Sequence, residues 1–361
     1  MQLVDWDIAT ATATRLAPPG PRLDLAEAVE TVDALRQAAV EAAGHVAAYT
    51  GLPGHSDDSG VVVVDRPGWI RSNIAGFQEL VDPLLDTVLS TRTKSIGPVM
   101  SAVGSRATGL EVGGMLAYLS TRVLGQFELF GPAPADGVPG GRLTLVAPNI
   151  VAAERSLAVD PADFRLWVCL HEVTHRTQFA AAPWLHGHVR SLIQEYLSAS
   201  DLDPAAMLGR LRGALGSIAD TVRGGSQVSL LEIVQTPEQR AVLDRVTGLM
   251  SLLEGHADVV MDGVGPAVVP SVTTIRDRFE ERRRSGSALD RAVRRLLGLD
   301  MKMRQYAEGA AFVRAVLAAV GMDGLNRIWS DPAMLPDAAE IREPGRWLVR
   351  TGAGTDPAVS A

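Results

Sequence analysis

Apolar residues recur three and four apart from Leu25 to about Tyr49, which predicts a long amphipathic helix. Asp24 and Glu27 stand at capping-box spacing ahead of it, and Gly51-Leu52-Pro53-Gly54 stops it. The rhythm then changes. Val61 to Val64 is a β-branched run ended by Asp65-Arg66-Pro67-Gly68, and it reads as a brief buried strand. Helical spacing resumes from about Trp69 to Ser90 and again from about Leu110 to Phe130. The second stretch contains Gly113-Gly114. Two adjacent glycines cost a helix about 2 kcal/mol against alanine, so they mark a close backbone approach or a kink.

Gly131 to Gly141 holds three prolines and four glycines and reads as a long connection inside one domain. Arg142 to Ala147 alternates like a strand and stops at Pro148. Asp160 as N-cap and Pro161 in the first helical position open a helix that Pro183 ends. From there to about Trp329 the pattern is almost all helical, with breaks near Asp203-Pro204, Gln235-Thr236-Pro237, Gly263 to Pro270 and Gly321. Two short strands among many helices predict a mainly α protein with a small β-sheet, an α+β class. The expected organisation is one domain over 1–361, with a mostly helical part at 1–135 and a second part at 136–361.

Composition sharpens this picture in a few places. Aromatic residues make up only 5% of the 361 residues, while alanine, valine and leucine dominate, which favours helices crossing on small side chains. The formal net charge of −8 gives no long-range attraction to nucleic acid or to an anionic membrane. Arg276, Arg278 and Arg282 to Arg284 are interleaved with Asp277, Glu280 and Glu281, as on a solvated helix face. A single cysteine, Cys169, leaves no intramolecular disulfide, and its apolar neighbours make it a core residue. The first residues are acidic and lack the basic start and apolar stretch of a secretory signal. No uncharged apolar run approaches the roughly 18 residues of a membrane span. The expected location is the cytoplasm; nothing in the pattern speaks to oligomeric state.

The chemistry concentrates in His171-Glu172-Val173-Thr174-His175. On a helix, residues four apart share a face, so two imidazoles at this spacing can converge on one zinc ion (Zn2+). Glu172 lies beside them without aiming at the same point, placed to take a proton from a water in the remaining position. Two histidines need a third protein ligand. The longer three-histidine motif is excluded, because Gln178 and Ala181 occupy its glycine and last histidine positions. Downstream, Leu252-Leu253-Glu254-Gly255-His256-Ala257-Asp258 lies in a helical pattern from about Glu238 to Met261. Glu254 and Asp258 share a face, so Glu254 is the favoured third ligand and Asp258 a carboxylate for the free ring N–H of a histidine ligand. His256 is the alternative ligand, since Gly255 leaves the regularity of the helix open. His186 and His188, just past the first helix, are expected on a turn in a structural or solvent role.

The HEVTH and EGHAD segments together resemble the gluzincin pattern. More narrowly, the chain is similar to the zincin-like metallopeptidase type 2 proteins, often labelled coenzyme F420 biosynthesis-associated. Val4-Asp5-Trp6, Val64 to Trp69, Leu145 to Asn149, and Met303-Arg304-Gln305-Tyr306 with Glu308-Gly309 carry that resemblance. It implies a mostly helical zincin fold and a zinc hydrolase acting on a peptide or a small amide; the label implies no activity. In such folds an edge strand beside the metal pairs with extended substrate, and Leu143 to Ala147 is expected to be that strand. A late tyrosine often steadies the oxyanion, and Tyr306 is the candidate here. The rival readings are a catalytically silent binding or scaffold protein on the same fold, and a hydrolase of a non-peptide amide or ester.

Overall fold

The computed structural model describes residues 4–54, 60–91, 98–131, 141–199, 236–284 and 299–353. Its first element departs from expectation. Trp6–Leu16 forms helix α1, capped by the Asp5 carboxylate on the Ile8 amide. The run of alternating alanine and threonine has little intrinsic drive to be helical, and tertiary packing supplies it. Helix α2 (Leu25–Thr50) has the expected capping box and ends with Gly51 in the left-handed region. Strand β1 (Val61–Val64) leads into α3 (Arg66–Thr91), followed by α4 (Pro98–Leu119). Helix α4 runs straight through Gly113-Gly114, and a Cβ on Gly113 would lie 2.7 Å from the Ala9 carbonyl oxygen. Of the two readings of that pair, close approach holds: α1 crosses α4 on Gly109 and Gly113.

The predicted helix through Phe130 is corrected. Helix α4 stops at Leu119, and Gly125–Glu128 is strand β2. The cause is a side chain distant in sequence. Asn149 donates from Nδ2 to the carbonyls of Ser120 and Val123, at 2.7 and 2.6 Å, satisfying acceptors that a continued helix would have used. Arg66 Nε in turn donates to Asn149 Oδ1 at 2.7 Å. Two of the stretches that carry the family resemblance thus meet as a buried structural clamp.

Strand β3 (Arg142–Val146) is central, not at the edge as expected: the sheet order is β1-β3-β2. It pairs parallel to β1, with Val61 opposite Leu143, and antiparallel to β2, with Gly125 opposite Leu145. Residues Leu143 to Val146 are all buried, as a strand covered on both faces must be. Leu143 and Leu145 face a core with α2 and the HEVTH helix, while Val146 joins Trp6, Trp69 and Leu116 on the other side. The edge strand next to the HEVTH helix is therefore β2. The Gly131 to Gly141 connection falls largely outside the described residues.

After α5 (Ala147–Leu157), helix α6 (Pro161–Ala181) carries HEVTH; Asp160 caps it through the Asp163 amide. Helix α7 (Trp184–Ser198) places His186 and His188 on a helix, not on the expected turn. Their roles are structural: His186 Nε2 sits 2.9 Å from the Leu129 carbonyl, and the His188 ring packs on Trp184. Then come α8 (Pro237–Val264), capped by Thr236 and Gln239, α9 (Val272–Arg284) and α10 (Leu299–Asn326), which is interrupted at Gly321. Among the described residues no helix is long and apolar enough to cross a membrane.

Helices α8 and α10 cross at almost backbone contact. A Cβ on Gly255 would stand 2.2 Å from the Gly309 carbonyl carbon, and one on Gly309 would stand 1.8 Å from the Ser251 carbonyl oxygen. Gly255 therefore serves the crossing, and α8 continues through it. Gly309→Ala is expected to destabilise the fold by at least the 1–3 kcal/mol of ordinary overpacking, because backbone atoms cannot yield as side chains do. Denaturant titration of both proteins checks this; an unchanged midpoint would refute the crossing.

Candidate metal centre

Helix α6 lies against the sheet face that carries Gly125 and Phe127, with Phe127 and Phe179 ring centroids 5.3 Å apart. Helix α8 crosses α6 and presents Glu254 to it. There the two imidazoles and the carboxylate meet. His171 Nε2 is 3.2 Å from His175 Nε2 and 3.4 Å from Glu254 Oε2, and His175 Nε2 is 3.8 Å from Glu254 Oε1. One ligand atom from each residue falls within 4.8 Å of the others.

The donor set can be tested against zinc by geometry. Ligands held at about 2.0–2.1 Å in a tetrahedron are separated by roughly 3.3–3.4 Å along each edge. The two Nε2 atoms stand 3.2 Å apart, and the two oxygens of the Glu254 carboxylate lie 3.4 Å from one and 3.8 Å from the other, so a small contraction and turn of the carboxylate completes a tetrahedral face. The two rings are nearly perpendicular, at 89°, so both Nε2 atoms reach the same point without stacking. All three side chains keep some exposure, 26%, 13% and 20%, which leaves the fourth direction open. The residues fit zinc.

Glu172 lies one step round α6, buried, beside the first residue of β2. A Cβ on Gly125 would lie 2.6 Å from Glu172 Cγ and 2.7 Å from Cδ, so a side chain there would push this carboxylate out of its present place. Burial raises the Glu172 carboxyl to about 7; the Glu254 charge adds to this and His171 opposes it. A carboxyl that changes protonation near neutrality suits a general base. Burial alone would lower His171, but the hydrogen bond and charge of Glu254, helped by Glu172 and Asp258, raise it to about 9. Burial and the His171 charge lower His175. In the metal-free chain the proton therefore resides on His171, paired with Glu254.

The other expectations divide. His256 stands apart from the cluster: it is buried, its Nδ1 is 3.0 Å from Gln178 Nε2, and its ring packs on Trp329. The regular helix turns it away from the face of Glu254. Asp258 is on that face and acts on His171 through its charge, but no hydrogen bond joins it to a histidine ring among the described residues. Gln178 makes that contact instead, its Oε1 lying 3.0 Å from His175 Nδ1. Tyr306 is in α10, but its side chain lies outside the described residues. Cys169 is buried beside the Leu35 carbonyl, as expected of a core thiol.

Sequence reasoning missed two residues here. Gln178 sits one turn beyond His175 on the ligand face, a signal that was available. Gly125 could be read as a close backbone approach only by recognising β2 as a strand.

A family model described as zincin-like metallopeptidase matches residues 4–348. No curated protein matches. Among solved structures, a crystal structure of a candidate hydrolase with a novel fold, from Chloroflexus aurantiacus, is similar. The two share 32% identity over 97% of this chain and 99% of that one, with a TM-score of 0.68. With the match spanning nearly the whole chain, HEVTH and EGHAD included, the protein belongs to the zincin-like metallopeptidase family.

Proposed function

We propose that the protein is a zinc-dependent peptidase in which His171, His175 and Glu254 hold the metal and Glu172 moves the proton. The observation that carries this is the convergence of the two Nε2 atoms, 3.2 Å apart, on the Glu254 carboxylate, whose oxygens lie 3.4 and 3.8 Å from them, with an ionisable, buried carboxylate directly beside the group. Zinc bound there would supply Lewis acidity, lowering the pKa of a water and polarising a carbonyl. Glu172 accepts the proton of the attacking water and returns it to the leaving amine. Gly125 keeps that carboxylate unobstructed. Strand β2 begins beside Glu172, and among the described residues no strand pairs with its outer edge. An extended peptide added there would run past the metal with its backbone hydrogen-bonded. This supports a peptide substrate over a small enclosed amide or ester.

The test begins with metal content. About one zinc per chain is expected at micromolar supply, and a chain that takes up none would sink the reading. A peptide-library digest should then give cleavage that a chelator abolishes. Zinc uptake should also depend on pH in a defined direction. A protonated His171 cannot ligate, and its proton is held until about pH 9. Affinity is therefore expected to rise about tenfold per pH unit below that point, and to level off above it. Titration with a competing chelator at several pH values measures the slope, after correction for the chelator's own protonation.

A further inference from the structure

Gln178 is completely buried between α6 and α8. Its Nε2 lies 2.9 Å from the Leu253 carbonyl oxygen and 3.0 Å from His256 Nδ1, and its Oε1 lies 3.0 Å from His175 Nδ1. A carbonyl can only accept, so the Leu253 contact fixes which end of the amide is NH2. The rest follows in order. His256 Nδ1 must accept from that NH2, so the proton of neutral His256 sits on Nε2. Gln178 Oε1 can only accept, so His175 must donate from Nδ1. That leaves the Nε2 lone pair of His175 directed at His171 and Glu254.

We infer that Gln178 is a positioning residue that selects the metal-binding tautomer of His175 before any metal arrives, and ties that ligand to the backbone next to the third one. Leu253 immediately precedes Glu254, so one amide group connects two of the three ligands across two helices. His256 is the second acceptor that holds the amide in this orientation. Among the described residues its buried Nε2 has no hydrogen-bond partner, whereas its Nδ1 meets Gln178. A ligand imidazole is commonly oriented by a partner on its other nitrogen. Here the partner is a neutral amide anchored on the opposite helix, where the sequence suggested the carboxylate of Asp258. This inference rests on the zinc reading of His171, His175 and Glu254.

Nitrogen-15 NMR of the histidine rings in the zinc-free chain, together with zinc affinity by chelator competition, tests it. Wild type is expected to show His175 protonated on Nδ1 without zinc. Gln178→Met should yield mixed His175 tautomers and roughly 10–100-fold weaker zinc binding. Gln178→Glu keeps an acceptor toward His175, and in its protonated form it donates to the Leu253 carbonyl in place of the amide, so it should restore the single tautomer and recover most of the affinity. A zinc-free wild type with His175 protonated on Nε2 would overturn the inference, as would Gln178→Met binding zinc as wild type does. A purely structural staple would make both variants equally poor at holding zinc with no change in tautomer, and that result also overturns it. If Gln178→Met fails to fold, the wild-type tautomer and the Gln178→Glu affinity still decide. Failure of wild type to bind zinc would defeat the zinc reading, whereas the tautomer of the zinc-free chain judges the Gln178 assignment by itself.

Discussion

Glu172→Gln is expected to keep about one zinc per chain and to lose hydrolysis by roughly 10²–10⁴-fold, the usual contribution of a positioned general base. The residue is outside the group of atoms that converge on the metal position, so zinc content should stay at the wild-type level. Gln fills the space that Gly125 leaves beside the carboxylate, so the fold is undisturbed. A second readout separates the chemistry from any structural effect. The buried Glu172 carboxyl titrates at about 7 in the metal-free chain, against an ordinary 4.5. A carboxyl raised on folding contributes stability that is fully present below 4.5 and is lost as pH rises through about 7. The Gln variant has no such loss. Without zinc it should melt above wild type at pH 8, and the advantage should vanish near pH 4. Equal activity of the two proteins in a zinc-loaded peptide digest would remove Glu172 from the reaction.

Glu254→Ala is the complementary experiment, and its expected effect falls on the metal. Losing a ligand should weaken zinc binding by more than the roughly 10–100-fold typical of losing an outer partner. The metal-free chain should change as well. Glu254 does most to hold His171 up at about 9 against its burial, with Glu172 and Asp258 helping, so His171 should titrate well below 9 in the variant. A histidine raised on folding contributes stability that is fully present below 6.5 and is lost as pH rises through about 9. The deficit of Glu254→Ala should therefore be greatest in mild acid and shrink toward pH 9. Melting curves at pH 6 and pH 9, with zinc content by elemental analysis, measure both. Wild-type zinc affinity in this variant would point to a different third ligand.

The two substitutions act on residues that differ in how far the sequence could place them. Glu172 is fixed by its position within five consecutive residues. Glu254 lies 79 residues beyond His175 (254 − 175), and only the packing of α8 on α6 brings its carboxylate to 3.4 Å from His171. The spacing of Glu254 and Asp258 did point to the helix face that meets the two histidines, because a regular helix carries that information locally. It did not identify which group holds a histidine ring. That role depends on how α8 packs on α6, which brings the Leu253 carbonyl and His256 to the buried amide of Gln178.

What the sequence determined by itself was the local part of the protein: the capped helices, the strands at Val61 and Arg142, and the i, i+4 histidine pair with its glutamate. Each is specified by neighbours within a turn or two, where propensity, capping and side-chain periodicity act. Tertiary structure alone decided where α4 ends, since the terminating amide of Asn149 comes from α5. It made β3 central and β2 the edge, because strand order depends on which faces the helices cover. It also turned His256 from a possible ligand into the acceptor for Gln178. These outcomes rest on contacts between residues tens of positions apart, where pattern along the chain has no reach and close packing has the final say.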